Sequence, residues 1–271
     1  MFGSVNLRFP GGKSKALTFS YDDGVIFDKR LVEIFRKNGL KGTFNLNSGL
    51  FGKGRRMSLD EVTATYTPDV CEIACHGVTH PDFTKCDSAV LMSQVVYDRK
   101  DLEQIAGYPV FGMAYPGGCY DQRVIDTLKN CNIKYARTVN SHQKFTLPEE
   151  LLAWHPTCHH KNPKLNEFAD QFLNLPTTFR SNLFYVWGHA YEFNDDNNWE
   201  IIEKFAEKLS GKDDIWYATN IEICNCIEDF RRLQYSADST MIYNPNARDV
   251  WISTPAGETV LIKSGETYKR G

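Results

Sequence analysis

The sequence predicts an α/β protein with a parallel sheet closing toward a barrel, followed by a small antiparallel β add-on at the C-terminus. Three observations predict it. Apolar, strand-length runs alternate with amphipathic helical stretches along most of the 271 residues, the pattern of a parallel sheet with crossover helices. Seven or so such units occur, which suits a barrel, although an open doubly wound sheet has the same periodicity. After Ala237 the apolar runs become short and β-like, separated by Asn-Pro and Pro-Ala-Gly turns. Residues 1–236 are therefore expected to form the barrel. Residues 237–271 should form an extension packed on it, too short to fold alone.

The first strand is expected over residues 15–21, an apolar run leading into Asp22, Asp23 and Gly24. A helix over 28–38 follows and stops at Gly39, in the C′ position. GTFN at 42–45 is the next strand. Ser58 with Glu61 three residues on makes a capping box that opens a short helix over 59–65. Residues 71–75 read as a strand, and Asp87 caps a long amphipathic helix ending near Gly107. Then come a strand over 110–114, a helix over 121–130, a strand over 134–138 and a helix over 166–174. The strongly apolar LFYVW at 183–187 is a strand, followed by a helix over 199–209. Residues 215–218 are the last strand of the series and 221–233 the last helix.

Composition excludes several classes of function. A net charge of −3 with both signs interspersed leaves no basic stripe for a nucleic acid. No segment is long and apolar enough to cross a bilayer, so no membrane partner is expected. Gly11, Gly12, Lys13, Ser14 and Lys15 stand where a signal peptide needs an apolar core, so a cytoplasmic location is expected. The eight cysteines follow no framework spacing and are expected as free thiols. Cys224 and Cys226 lie two apart on a helix and point away from each other, so they are no redox pair.

In α/β folds the chemistry sits at the C-terminal ends of the strands. The polar residues expected there are few: Asp22 and Asp23 after the first strand, His76 and His80 in HGVTH, the YPGG run from Tyr115, and His189 after LFYVWG. Two like charges side by side repel, so a fold rarely places them at a strand tip for packing alone. Histidines four apart share one side of a helical turn, the geometry with which two imidazoles grip one ion. Gly77 and Pro81 make a tight loop the better expectation here. Alone, either motif has a plain reading, a loop histidine or an Asp-Gly turn. Together, two histidines and one carboxylate supply three ligands and leave a fourth position for water.

These motifs resemble those of the NodB-type polysaccharide deacetylases, carbohydrate esterase family 4. SYDDG is similar to their TFDDG, HGVTH to their HSxxH and VWGH to their LxH, and YPGG stands in the place of RxPxG. The resemblance covers the chain from the first strand through Ala218. It implies a distorted (β/α)7 barrel and metal-dependent removal of acetyl groups from N-acetylated sugars. It further implies Asp22 as general base, Asp23, His76 and His80 as metal ligands, His189 as general acid and the Gly117 N–H as oxyanion donor. The ligand set suits Zn best and also accepts Co, Ni, Mn or Fe. Its partner would be a carbohydrate or a small non-sugar amide. A catalytically silent carbohydrate-binding relative is the reading from another class.

The chain departs from the family pattern at several places. Ala114 stands where the family has the Arg that orients the base, and Arg137 at the next strand end is expected to supply that cation. Gly77 loses a side-chain hydrogen bond that could steady the loop. Trp187 replaces the Leu of LxH, which would reshape the acetyl pocket; Tyr115 is expected beside it. No DxxDW motif names a carboxylate to support His189. Asp195, Asp196 and Glu222 are expected as solvated or capping residues. WHPTCHH at 154–160 can line the groove, with Trp154 stacking on a sugar, or be a loop whose Trp packs into the barrel rim. A second metal site there is disfavoured because adjacent histidines rarely ligate one ion. Arg55 and Arg56 are expected to be solvated, with an acidic substrate as their alternative partner.

Overall fold

The computed structural model describes residues 5–176 and 180–270. In chain order, β1 (Asn6–Arg8), β2 (Lys15–Asp22), α1 (Asp28–Lys37), β3 (Gly42–Leu46), α2 (Leu59–Thr65) and β4 (Cys71–Cys75) open the chain. Then follow α3 (Ser88–Ala106), β5 (Gly112–Ala114), α4 (Gln122–Asn130), β6 (Tyr135–Arg137), β7 (Cys158–His159), α5 (Leu165–Leu173) and β8 (Asn182–Gly188). The chain continues through α6 (Ala190–Asp195), α7 (Glu200–Leu209), β9 (Ile215–Tyr217) and α8 (Asn220–Arg231). It ends in β10 (Gln234–Tyr235), β11 (Met241–Tyr243), β12 (Val250–Ser253), β13 (Thr259–Ile262) and β14 (Thr267–Lys269).

Eight parallel strands form one sheet, seven in the order β6-β5-β4-β3-β2-β8-β7 and β9 paired with β2, in line with the α/β architecture expected. The distortion lies at β2. One of its edges carries β8 along its length, and the other is shared, with β9 against Lys15–Leu17 and β3 against Phe19–Asp22. Trp154 bridges Arg137 in parallel on the way to β7, so this segment spans between the two edge strands, β6 and β7. All eight residues of β2 are buried, as suits a central strand of a sheet covered on both faces. Phe19, Tyr21, Phe35 and Phe44 pack beside it. Lys15 can be buried because its Nζ donates to the Leu173 carbonyl at 2.8 Å and pairs with Asp214 at 3.0 Å.

The C-terminal residues form two three-stranded antiparallel sheets, β1-β12-β13 and β10-β11-β14. Residues 6–8 carry no strand in the sequence reading, yet they pair with β12, Asn6 opposite Ser253. A three-residue strand whose partner lies at the far end of the chain leaves no local signal. Val5, Leu233, Ile242, Val250, Ile252 and Ile262 bury a small core there. All eight cysteines are free.

One buried acid ties stability to pH. Asp28, at the first turn of α1, is fully buried, accepts the Tyr66 hydroxyl at 2.5 Å and leaves Oδ1 without a partner. Burial pushes its carboxyl up to about 8; the Tyr66 bond opposes this and the charges of Asp23 and Asp22 reinforce it. Because the folded state holds this proton more tightly than the unfolded chain, the contribution is complete below pH 4 and is lost as pH rises through about 8. Asp28→Asn is therefore expected to flatten the decline, by about 1 kcal/mol or more, in denaturation midpoints compared at pH 4.5 and 8.5. An unchanged decline would locate the pH dependence elsewhere.

Candidate active site

β2 ends in Asp22, and the chain leaves the sheet at Asp23, whose φ of 81° lies in the left-handed region where aspartate is among the tolerated residues. His76 follows the end of β4, and HGVTH is a tight loop, with Gly77 at φ 75° and His80 at φ 59°. The loop brings one carboxylate oxygen of Asp23 and one nitrogen each of His76 and His80 within 4.8 Å of one another. The Ala114 carbonyl lies 2.8 Å from His76 Nδ1, which places the ring proton there and leaves the Nε2 lone pair toward Asp22 and Asp23. Burial pushes His76 down to about 4, with the charge of Asp22 opposing, so its ring is neutral at ordinary pH. A neutral imidazole and a carboxylate are what a zinc-class cation requires.

The side-chain bond missing at Gly77 is replaced from elsewhere. Asn47 donates to the carbonyls of His76 and Gly77 at 2.6 and 2.7 Å, and buried Asp98 accepts the His76 N–H at 2.9 Å. A Cβ on Gly77 would lie 3.1 Å from the Phe83 ring, at a backbone angle that disfavours side chains.

Asp22 is buried among donors. Asn45 donates to its Oδ1 at 2.8 Å, and the Arg137 guanidinium pairs with Oδ2. Oδ2 also lies 3.9 Å from His76 Nε2 and 3.8 Å from His189 Nε2. Burial alone would raise this carboxyl, but Arg137 and the neighbouring imidazoles hold it at about 2. Arg137 is itself fixed by a 3.1 Å bond to Ser20 Oγ and by Trp187, whose ring lies 4.5 Å from the guanidinium carbon. The strand register makes this possible: β6 pairs Arg137 with Ala114, the position where the family pattern has its own arginine.

His189 caps α6, and the carboxylate absent from the motif inventory is Glu192, three residues on. Glu192 Oε2 accepts the His189 N–H at 3.1 Å and lies 3.3 Å from its Nδ1. Burial pushes the His189 imidazole down, but Glu192 and Asp22 outweigh it and the net shift is upward. A search for DxxDW misses this pair; the signal available was a Glu three residues past a helix-capping His. Asp195 pairs with Arg55 and Asp196 with Lys161, while Glu222 caps α8.

Two substrate-facing expectations are corrected. Trp154 is only 1% exposed, edge-on to Tyr135 and Tyr185, so it fills the core and cannot stack on a sugar. Tyr115 is 1% exposed, its hydroxyl donated to the Leu152 carbonyl at 2.6 Å and its N–H to the Arg137 carbonyl at 3.1 Å, so neither donor faces a ligand. Gly117, at φ 61°, stands in the turn after it with its N–H outside these bonds. Arg56 is not simply solvated: its guanidinium donates to Asp23 Oδ1 at 2.9 Å, leaving the other oxygen open. No clue to that contact exists in local sequence, since a loop carries Arg56 back across Val25.

The fold and this site define a class: a parallel α/β architecture with an Asp-His-His set that could hold a cation at its strand ends and a buried carboxylate beside it. Residues 10–136 match the family described as polysaccharide deacetylase. No curated protein matches the sequence. Among solved structures, a putative polysaccharide deacetylase from Mycobacterium smegmatis superposes with a TM-score of 0.62 at 15% identity, over 85% of this chain and 96% of that one. A mutant of a Bacillus anthracis CE4-family pseudoenzyme, described as having restored activity, superposes with a TM-score of 0.51 at 14% identity, over 82% and 72%. The Streptococcus pyogenes deacetylase PplD is 21% identical with a TM-score of 0.47; the match covers 50% of this chain and 61% of PplD. The first two likenesses speak to the fold alone. No helix among the described residues is long and apolar enough to cross a membrane.

Proposed function

We propose that this chain is a divalent-metal-dependent hydrolase that removes acetyl groups from an N-acetylated carbohydrate. The observation that carries the reading is the placing of Asp22 Oδ2 between His189 Nε2 and His76 Nε2, beside the Asp23-His76-His80 set. A zinc-class cation held there supplies Lewis acidity for the acetyl carbonyl and for an attacking water. Asp22, kept ionised by Arg137, accepts the proton of that water as its oxygen bonds to the acetyl carbon. The Gly117 N–H faces the negative charge that develops on the carbonyl oxygen. His189, oriented by Glu192 through Nδ1, gives the Nε2 proton to the leaving nitrogen as the C–N bond breaks. Acetate and the free amine result.

Acetate release is the test, measured across N-acetylated sugars, chito-oligomers and peptidoglycan fragments with and without chelator. Release from at least one compound, abolished by chelator and restored by Zn(II) or Co(II), is the expected result. Chelator-resistant release would sink the metal-dependent reading. Metal bound with no acetate from any compound would favour a silent relative or a non-sugar amide as substrate.

A further inference from the structure

A second convergence of metal-ligand atoms lies behind the acid, in the run disfavoured as a metal site because adjacent histidines rarely ligate one ion. β7 ends at His159, and the turn that follows swings His160 to the same side, with ring centroids 4.5 Å apart. His159 Nε2 lies 3.1 Å and His160 Nε2 3.3 Å from a single atom, Glu192 Oε2. We propose that His159, His160 and Glu192 form a second cation site, for a divalent ion of the zinc class.

His160 carries the argument. Its side chain is 1% exposed, clamped between the rings of Tyr21 and Phe193 at 5.7 and 4.0 Å. Neither of its ring nitrogens makes a hydrogen bond. A buried imidazole with both nitrogens idle is costly. Nε2 sits at bonding distance from Glu192 without forming a bond, as two ligand atoms do when both face a third point. The ring's place is specific: a Cβ on Gly188 would come within 2.0 Å of His160 Nδ1. Two imidazoles and a carboxylate, with a position left open, suit Zn(II) or Co(II).

Three contacts bear on loading. Glu192 Oε2 also accepts the His189 N–H at 3.1 Å and lies 3.3 Å from His189 Nδ1, so an ion there would share this oxygen with the capping bond. Lys161 Nζ lies 3.4 Å from the other Glu192 oxygen, Oε1, but also 2.7 Å from Asp196. The Lys161 N–H donates to His159 Nδ1 at 3.1 Å, so coordination through Nε2 moves the ring proton to Nδ1 and gives up that bond. The site does not rest on the deacetylase reading, since its ligands are distinct from Asp23, His76 and His80.

The test counts Zn(II) ions per chain by native mass spectrometry on untagged full-length protein, with a Zn(II) titration for affinity. Wild type is expected to bind two ions. His159→Gln, at a partly exposed position where folding is safe, and Glu192→Gln should each bind one. Asp23→Asn should also bind one, and His159→Gln combined with Asp23→Asn none. A single ion in wild type that is lost in Asp23→Asn and kept in His159→Gln overturns the second site and leaves the first standing. Two ions retained in both His159→Gln and Glu192→Gln overturns it as well.

Discussion

Asp22→Asn is expected to bind metal as wild type does and to lose turnover by roughly 10²–10⁴-fold, the range for removing a general base. The amide keeps the shape of the carboxyl, but its single oxygen accepts from only one of Arg137 and Asn45, so metal binding and a folded-state check on the variant must accompany the rate measurement. Asp23→Asn should behave differently. Asparagine tolerates the left-handed backbone at φ 81°, so the turn survives, but a charged ligand becomes a neutral one. Metal affinity should then fall by more than the roughly 10–100-fold typical of outer-shell partners. Turnover should fall with it and recover in part at high metal concentration. Metal titration of both variants beside initial rates separates the roles. If the two variants lost metal and turnover alike, the division of labour between the adjacent aspartates would have to be abandoned.

The strand-tip chemistry was legible because strand ends are marked locally. An apolar run that stops at Asp22-Asp23, or at Gly188-His189, announces both the element and the polar group at its rim. Arg137 was also within reach, since parallel register sets it beside Ala114, the position where the resemblance lacks its cation. What stayed hidden depends on contacts distant in sequence. Arg56 reaches Asp23 through a returning loop, β1 finds β12 from the opposite end of the chain, and Asn47 and Asp98 hold the HGVTH loop from two other segments. Of the two readings open for Trp154, packing holds and sugar stacking does not. A Trp next to polar residues reads as a groove aromatic, but its backbone bridges Arg137 and turns the ring into the core. His159 and His160 were set aside because adjacent histidines rarely ligate one ion; here the strand ends at His159 and the turn brings both rings to one side.

Arg137→Ala should be the most damaging single change to the scaffold of the site. The guanidinium is fully buried, its partner Asp22 nearly so, and removing one member of such a pair leaves an uncompensated charge that costs about 3–5 kcal/mol. For a chain of this size that is roughly a ten-degree fall in Tm. Arg137→Lys keeps the charge but loses the fork that holds Asp22 and Ser20 together, so an intermediate loss is expected. The sign of the pH effect follows from the depressed carboxyl. Asp22 ionises at about 2 in the folded protein, so its pairing contributes stability above the ordinary carboxylate range and loses it as pH falls through about 2. Without Arg137, burial is the largest influence left, and the carboxyl should titrate well above its ordinary value. The proper readout is the carboxyl ¹³C shift of Asp22 in metal-free protein, because the metal ligands themselves release their ion in acid. An Asp22 that still titrates at about 2 in Arg137→Ala would mean that Asn45 and the imidazoles hold its charge, and that Arg137 has not taken over the missing cation's task.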